Sequence, residues 1–127
     1  MKICLKYNKK IITEYKLKII KKFLKFIFKK LQLKQNINIL FIDKWKGDMT
    51  TGSYNNEEHN IKILSKHRML ADILRTLSHE WAHAYDHESV HIKDRRDVGG
   101  KSEDFANAKS GELTKEFIKT FKKLDKE

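Results

Sequence analysis

The chain has 127 residues, with 28 Lys or Arg against 17 Asp or Glu, and a net charge of +11. That length supports one domain, residues 1–127, with a single modest core, and excludes a large second domain. One cysteine, Cys4, excludes an intramolecular disulfide and favours a reducing, cytoplasmic setting.

Taken in chain order, Ile3 to Tyr7 reads as a first strand, with Cys4 as a small apolar residue in it. The first seven residues carry no long apolar run and no small-residue cleavage site, so no secretory signal is expected. Residues 12 to 33 read as a long amphipathic helix. Ile12, Tyr15, Ile19, Ile20, Phe23, Phe26, Ile27 and Leu31 make its expected buried face, and Lys18, Lys21, Lys22, Lys25 and Lys29 line the other. Those lysines break the apolar run, so no transmembrane span is expected. A basic amphipathic helix can also lie on an anionic membrane. Packing on a sheet is the better reading, because a strand, Ile37 to Ile42, follows directly. Met49 to Tyr54 and Asn60 to Leu64 then read as two short strands around a polar turn at Asn55, Asn56, Glu57 and Glu58.

A second long helix is expected over residues 67–87, then a charged loop ending in Gly99-Gly100, and a short helix containing Glu103. A C-terminal helix closes the chain, with Leu113, Phe117, Phe121 and Leu124 on one stripe. The fold class is therefore α+β: a small mixed sheet with an edge hairpin, a long N-terminal helix, a central helix and C-terminal helices. The C-terminal helix either packs on the domain or covers a cleft.

The central helix carries the chemistry. Its segment Leu77-Ser78-His79-Glu80-Trp81-Ala82-His83 holds a His-Glu-x-x-His motif. Two histidines four residues apart on a helix project from one face and can bind one Zn²⁺ together, while the adjacent glutamate can take a proton from a water at the metal. On a helical wheel Leu70, Ile73, Leu74, Leu77, Trp81, Ala84 and Tyr85 share one arc. Asp72, Thr76, His79, Glu80, His83, Asp86 and His87 share the opposite one, so a core stripe faces away from a ligand-rich face. A catalytic zinc usually has three protein ligands and one open position. His87, Glu88, His91, Asp94, Asp97, Glu103 and Asp104 are the downstream candidates for the third. Asp86 could orient His83, and His87 could bind substrate.

Nineteen residues separate His83 from Glu103, and the chain there reads Ser102-Glu103-Asp104-Phe105-Ala106-Asn107. From His79 to Asn107, and less specifically from about residue 49, the chain resembles the gluzincins, thermolysin-like zinc metallopeptidases, and in particular their minimal single-domain members. The resemblance implies a zincin-like fold, one Zn²⁺ held by His79, His83 and Glu103, and Glu80 as general base toward a zinc-bound water. It implies that Asn107, where the family more usually has Asp, orients His79. It also implies an edge strand along the cleft, here around Thr51-Gly52-Ser53-Tyr54, to which a protein or peptide substrate could add by backbone pairing. Larger gluzincins add a His or Tyr that stabilises the oxyanion; Tyr54, Tyr85, His87 and His91 are the candidates here. The metzincin pattern fits poorly, because Asp86 and Ser89 stand where it needs Gly and His.

Readings of other classes stay open. A structural zinc domain would close the site with a fourth ligand such as His87 or His91. A metal-free helical binding module would leave the histidines on the surface. The lysines are spread along the chain without an aromatic-interleaved stripe, which suits at most weak, nonspecific nucleic-acid association. A monomer is expected. Lysine-rich composition also suits a viral or mobile-element origin.

Overall fold

The structure is a computed structural model. It describes the backbone of residues 1–44, 51–88 and 101–125, and the side chains of these except 101, 102 and 121–125. The fold is α+β, with three helices and a mixed four-stranded sheet in the order β1-β2-β4-β3. The strands are β1 (Ile3–Lys6), β2 (Ile37–Ile42), β3 (Gly52–Asn55) and β4 (Asn60–Leu64). The helices are α1 (Glu14–Lys30), α2 (Leu70–Glu88) and α3 (Lys101–Asp125). Among the described residues, no helix is long and apolar enough to cross a membrane.

Strand alternation decides which face of the sheet is covered. Ile37, Ile39 and Phe41 of β2 and Ile61 and Ile63 of β4 are buried, while Asn38 and Lys62 between them are exposed. Residue Cys4 lies on β1, but on the exposed side. The pairs β1–β2 and β2–β4 are parallel, and β3 runs antiparallel to β4 through a short turn. Asn55 Oδ1 closes that turn by accepting from the Glu57 and Glu58 amides at 2.9 and 3.1 Å.

Helix α1 starts later than its apolar pattern suggests. Thr13 is the N-cap and accepts from the Lys16 amide, so Ile12 is a buried anchor ahead of the helix. Tyr15 falls in the first turn and is 63% exposed, which corrects its placement on the buried face. Leu24 takes a core position instead. At the other end the Leu31 carbonyl accepts from the indole N–H of the fully buried Trp81 at 2.8 Å, tying α1 to α2.

Helix α3 is one continuous helix, where a short helix and a separate C-terminal helix were expected. Gly111 is exposed and a Cβ there would meet nothing within 4 Å. Glycine inside a helix costs about 1 kcal/mol, and the packing on either side of it outweighs that. Ala106, Leu113, Thr114 and Phe117 are buried, and Phe117 meets Phe23 and Phe26 at ring distances of 5.0 and 5.6 Å. The stripe residues Phe121 and Leu124 have side chains outside those described.

Candidate metal centre

Two features of α2 build the site. Its apolar residues Ile73, Leu74, Leu77 and Trp81 are buried in the core, which turns His79, Glu80 and His83 to the opposite side. Its small residues let α3 approach closely. Ala82 and Ala106 are fully buried, and Ser78 Oγ lies 3.2 Å from Thr114 Oγ1 and 3.0 Å from the Arg75 carbonyl it donates to. Farther along, Tyr85 stacks on Phe105 at 6.2 Å. Residue 78 thus meets 114 and residue 85 meets 105, so the two helices run antiparallel, and Glu103 arrives beside the two histidines.

The three side chains converge. His79 Nε2 and His83 Nε2 are 3.2 Å apart. The Glu103 carboxylate reaches His83 Nε2 at 2.8 Å and His79 Nε2 at 3.5 Å. A tetrahedral ion with ligands at about 2.0 Å holds neighbouring ligand atoms about 3.3 Å apart. The observed separations scatter around that edge length, and the two-nitrogen, one-carboxylate donor set suits zinc. His79, His83 and Glu103 form a group that could hold a metal ion.

Glu80 is buried at the same wall, beneath β3. A Cβ on Gly52 would stand 2.5 Å from Thr76 Cγ2 and 3.3 Å from Glu80 Cγ, so only glycine lets the strand lie this close to the helix. Gly52→Ala should cost about 1–3 kcal/mol through this overlap. Thr76→Ser deletes the offending methyl but keeps the hydroxyl that accepts from Arg68 at 3.0 Å. The double variant should therefore recover most of the loss in a urea titration. A single Gly52→Ala protein as stable as wild type would show that the close approach constrains nothing.

Burial pushes the Glu80 carboxyl up to about 7, and the neighbouring Glu103 charge adds to the shift. Burial also lowers His79, with His83 acting in the same direction and Glu103 against it. A dication at the triad would favour the ionised Glu80 and the neutral imidazoles.

His79 and Glu103 of the triad open on a cleft of about 510 Å³, lined with them by Thr51, Gly52, Arg75, Thr76, Glu80, Asn107 and Ser110. Asn107 is thus at the cleft, exposed, and makes no hydrogen bond to His79 among the described residues. Tyr54 and His87 meet each other at a ring distance of 6.0 Å, and Tyr54 also meets His59. Tyr85 packs toward α3, and Asp86 is buried. His91, Asp94 and Asp97 lie outside the described residues. Of the remaining ligand candidates, Asp104 is exposed away from the cleft lining, and Glu88 is used elsewhere. The Glu88 carboxylate accepts from the Lys34 and Gln35 amides at 2.7 and 2.9 Å and lies 3.4 Å from His59 Nε2. Sequence reasoning passed over Arg75 and Ser110. Arg75 is one turn before His79, and Ser110 is two turns after Glu103, so helical spacing from the two ligands would have found both.

No family model, curated protein or solved structure matches the chain.

Proposed function

We propose that the chain is a single-domain, gluzincin-like zinc metallopeptidase with His79, His83 and Glu103 as ligands and Glu80 as general base. The observation that carries this reading is the convergence of the three ligand side chains, with Glu80 buried next to them at the wall of an open cleft. Bound zinc would supply Lewis acidity, drawing the pKa of water toward about 7 and polarising the carbonyl under attack. Glu80 accepts the proton of the attacking water and returns it to the leaving amine. Among the described residues no fourth ligand joins the group, which favours this over a structural site closed by one.

The edge strand supports a peptide as substrate. Leu64 N–H donates to the Thr51 carbonyl at 2.9 Å, so residues 51, 53 and 55 direct their backbone groups to β4. The alternation leaves the N–H and C=O of Gly52 and Tyr54 on the outer edge of the sheet. A substrate chain laid along that edge pairs beside Gly52, the residue of β3 that lies against Glu80.

Elemental analysis of the folded protein tests the metal half of the reading. Wild type should hold one zinc per chain. Glu103→Ala should weaken binding by more than the roughly 10- to 100-fold typical of losing only a supporting partner. A folded wild type that takes up no zinc on reconstitution would overturn the proposal.

A further inference from the structure

The cleft beside the triad has an unusual lining. Among the described residues, apart from His79, Glu80 and Glu103 it is bordered by Thr51, Gly52, Arg75, Thr76, Asn107 and Ser110, none of which carries an aliphatic or aromatic side chain. Among the described residues, an apolar substrate side chain seated there would meet only the methyl and methylene groups of these polar residues. A polar or charged one would find hydrogen-bonding groups on several sides.

Arg75 is the cation in this lining. It stands four residues before His79, on the same face of α2, and its side chain is exposed. Its guanidinium makes no hydrogen bond or ion pair among the described residues; the side chain of Ser78 donates to the Arg75 carbonyl, not to its guanidinium. Arg68, one strand–helix junction away, is the contrast. Its guanidinium donates to the Leu64 and Asp72 carbonyls and to Thr76 Oγ1, at 3.0, 3.3 and 3.0 Å, and so braces the start of α2. One arginine is spent on the fold, and the other presents its donor fork to the cleft.

We infer that Arg75 is a specificity-determining residue that selects substrates carrying a carboxylate within a residue or two of the bond to be cut. The planar fork matches a carboxylate with two parallel hydrogen bonds. The net charge of +11 adds long-range attraction for acidic partners. The inference rests on the peptidase reading. The carboxylate has two sources, an Asp or Glu side chain or the substrate's own C-terminus, and the chemistry at Arg75 is the same for both.

The test uses the zinc-loaded full chain and a peptide mixture varied at each position around the cleaved bond, with cleavage sites read by mass spectrometry. Peptides with Asp or Glu, or with a free terminal carboxylate, should be cut about ten- to a hundredfold faster than their Asn, Gln or amidated counterparts. Arg75→Ala should erase that ratio, and Arg75→Glu should turn it toward Lys or Arg. Preference for the side chain would assign an internal acidic residue; preference for the free over the amidated terminus would assign the C-terminus. A second arm measures binding alone, by fluorescence anisotropy of the carboxylate and amide peptides on the zinc-loaded Glu80→Gln protein. Tighter carboxylate binding that Arg75→Ala removes would support carboxylate recognition by Arg75 even if wild type cut nothing, in which case the peptidase reading, and with it the placement relative to a cut bond, would fall. A preference for bulky apolar residues, a carboxylate ratio unchanged in both variants, or no difference in binding would overturn it.

Discussion

Glu80→Gln should lower peptide hydrolysis by about 10²–10⁴-fold while the zinc content stays at one per chain. The amide is the same size as the carboxylate, so the close packing of Glu80 Cγ under Gly52 is kept. What it cannot do is accept a proton. A variant with full activity would remove Glu80 from the chemistry and with it the proposed mechanism. The same substitution has an opposite effect on the metal-free protein. Glu80 titrates near 7 in the folded chain, above its ordinary 4.5, because burial disfavours its charge. Folded protein therefore holds that proton more tightly than unfolded protein does, and stability falls as pH rises from about 4.5 to about 7. Above that window the penalty is constant, about 3 kcal/mol from the size of the shift. Metal-free Glu80→Gln should thus be more stable than metal-free wild type at pH 8, with the gap closing by pH 4.5 in urea titrations. The lowering of His79 gives both proteins a slope of the other sign, with stability gained as pH rises toward 6.5, so the comparison between them isolates Glu80.

Truncation after Gly111 should unfold the protein rather than activate it. The removed segment contributes Leu113, Thr114 and Phe117 to the buried interior. Phe117 closes an aromatic cluster with Phe23 and Phe26, and Thr114 meets Ser78 between α2 and α3. Losing one buried Leu or Phe costs about 2–5 kcal/mol, and whole domains are stable by only about 5–15 kcal/mol. Circular dichroism would show loss of the cooperative transition. A truncated chain that stayed folded and cleaved peptides faster would make the end of α3 a lid. The packing of Leu113 and Phe117 makes it part of the core instead.

Much of this was readable in the chain itself, and the reasons differ by element. The alternation of Ile37, Ile39 and Phe41 marked β2 because a half-buried strand has period two. The wheel of α2 separated Leu77 and Trp81 from His79 and His83 because helical neighbours lie three and four residues apart. Where the reading slipped, a nonlocal contact outweighed a local signal. Gly111 suggests a break, yet α3 runs through it because Ala106 on one side and Leu113 and Phe117 on the other are held by α1 and α2. Tyr15 fits the apolar face of α1 by periodicity, yet the cap at Thr13 leaves it in a first turn clear of the core. Glu88 has the chemistry of a ligand, yet from the end of α2 it caps the segment before β2.

By itself the sequence determined the four strands, the first two helices and that His79, Glu80 and His83 share a helix face, since these follow from spacing along a few residues or turns. Only the tertiary structure decided that Glu103 meets those histidines, because 19 residues of intervening chain leave the direction of return open and the Ser78–Thr114 and Tyr85–Phe105 contacts settle it. The fit of Gly52 over Glu80 and the opening of Arg75 onto the cleft are likewise tertiary facts, produced by a strand and a third helix that pack against α2 from outside its own sequence.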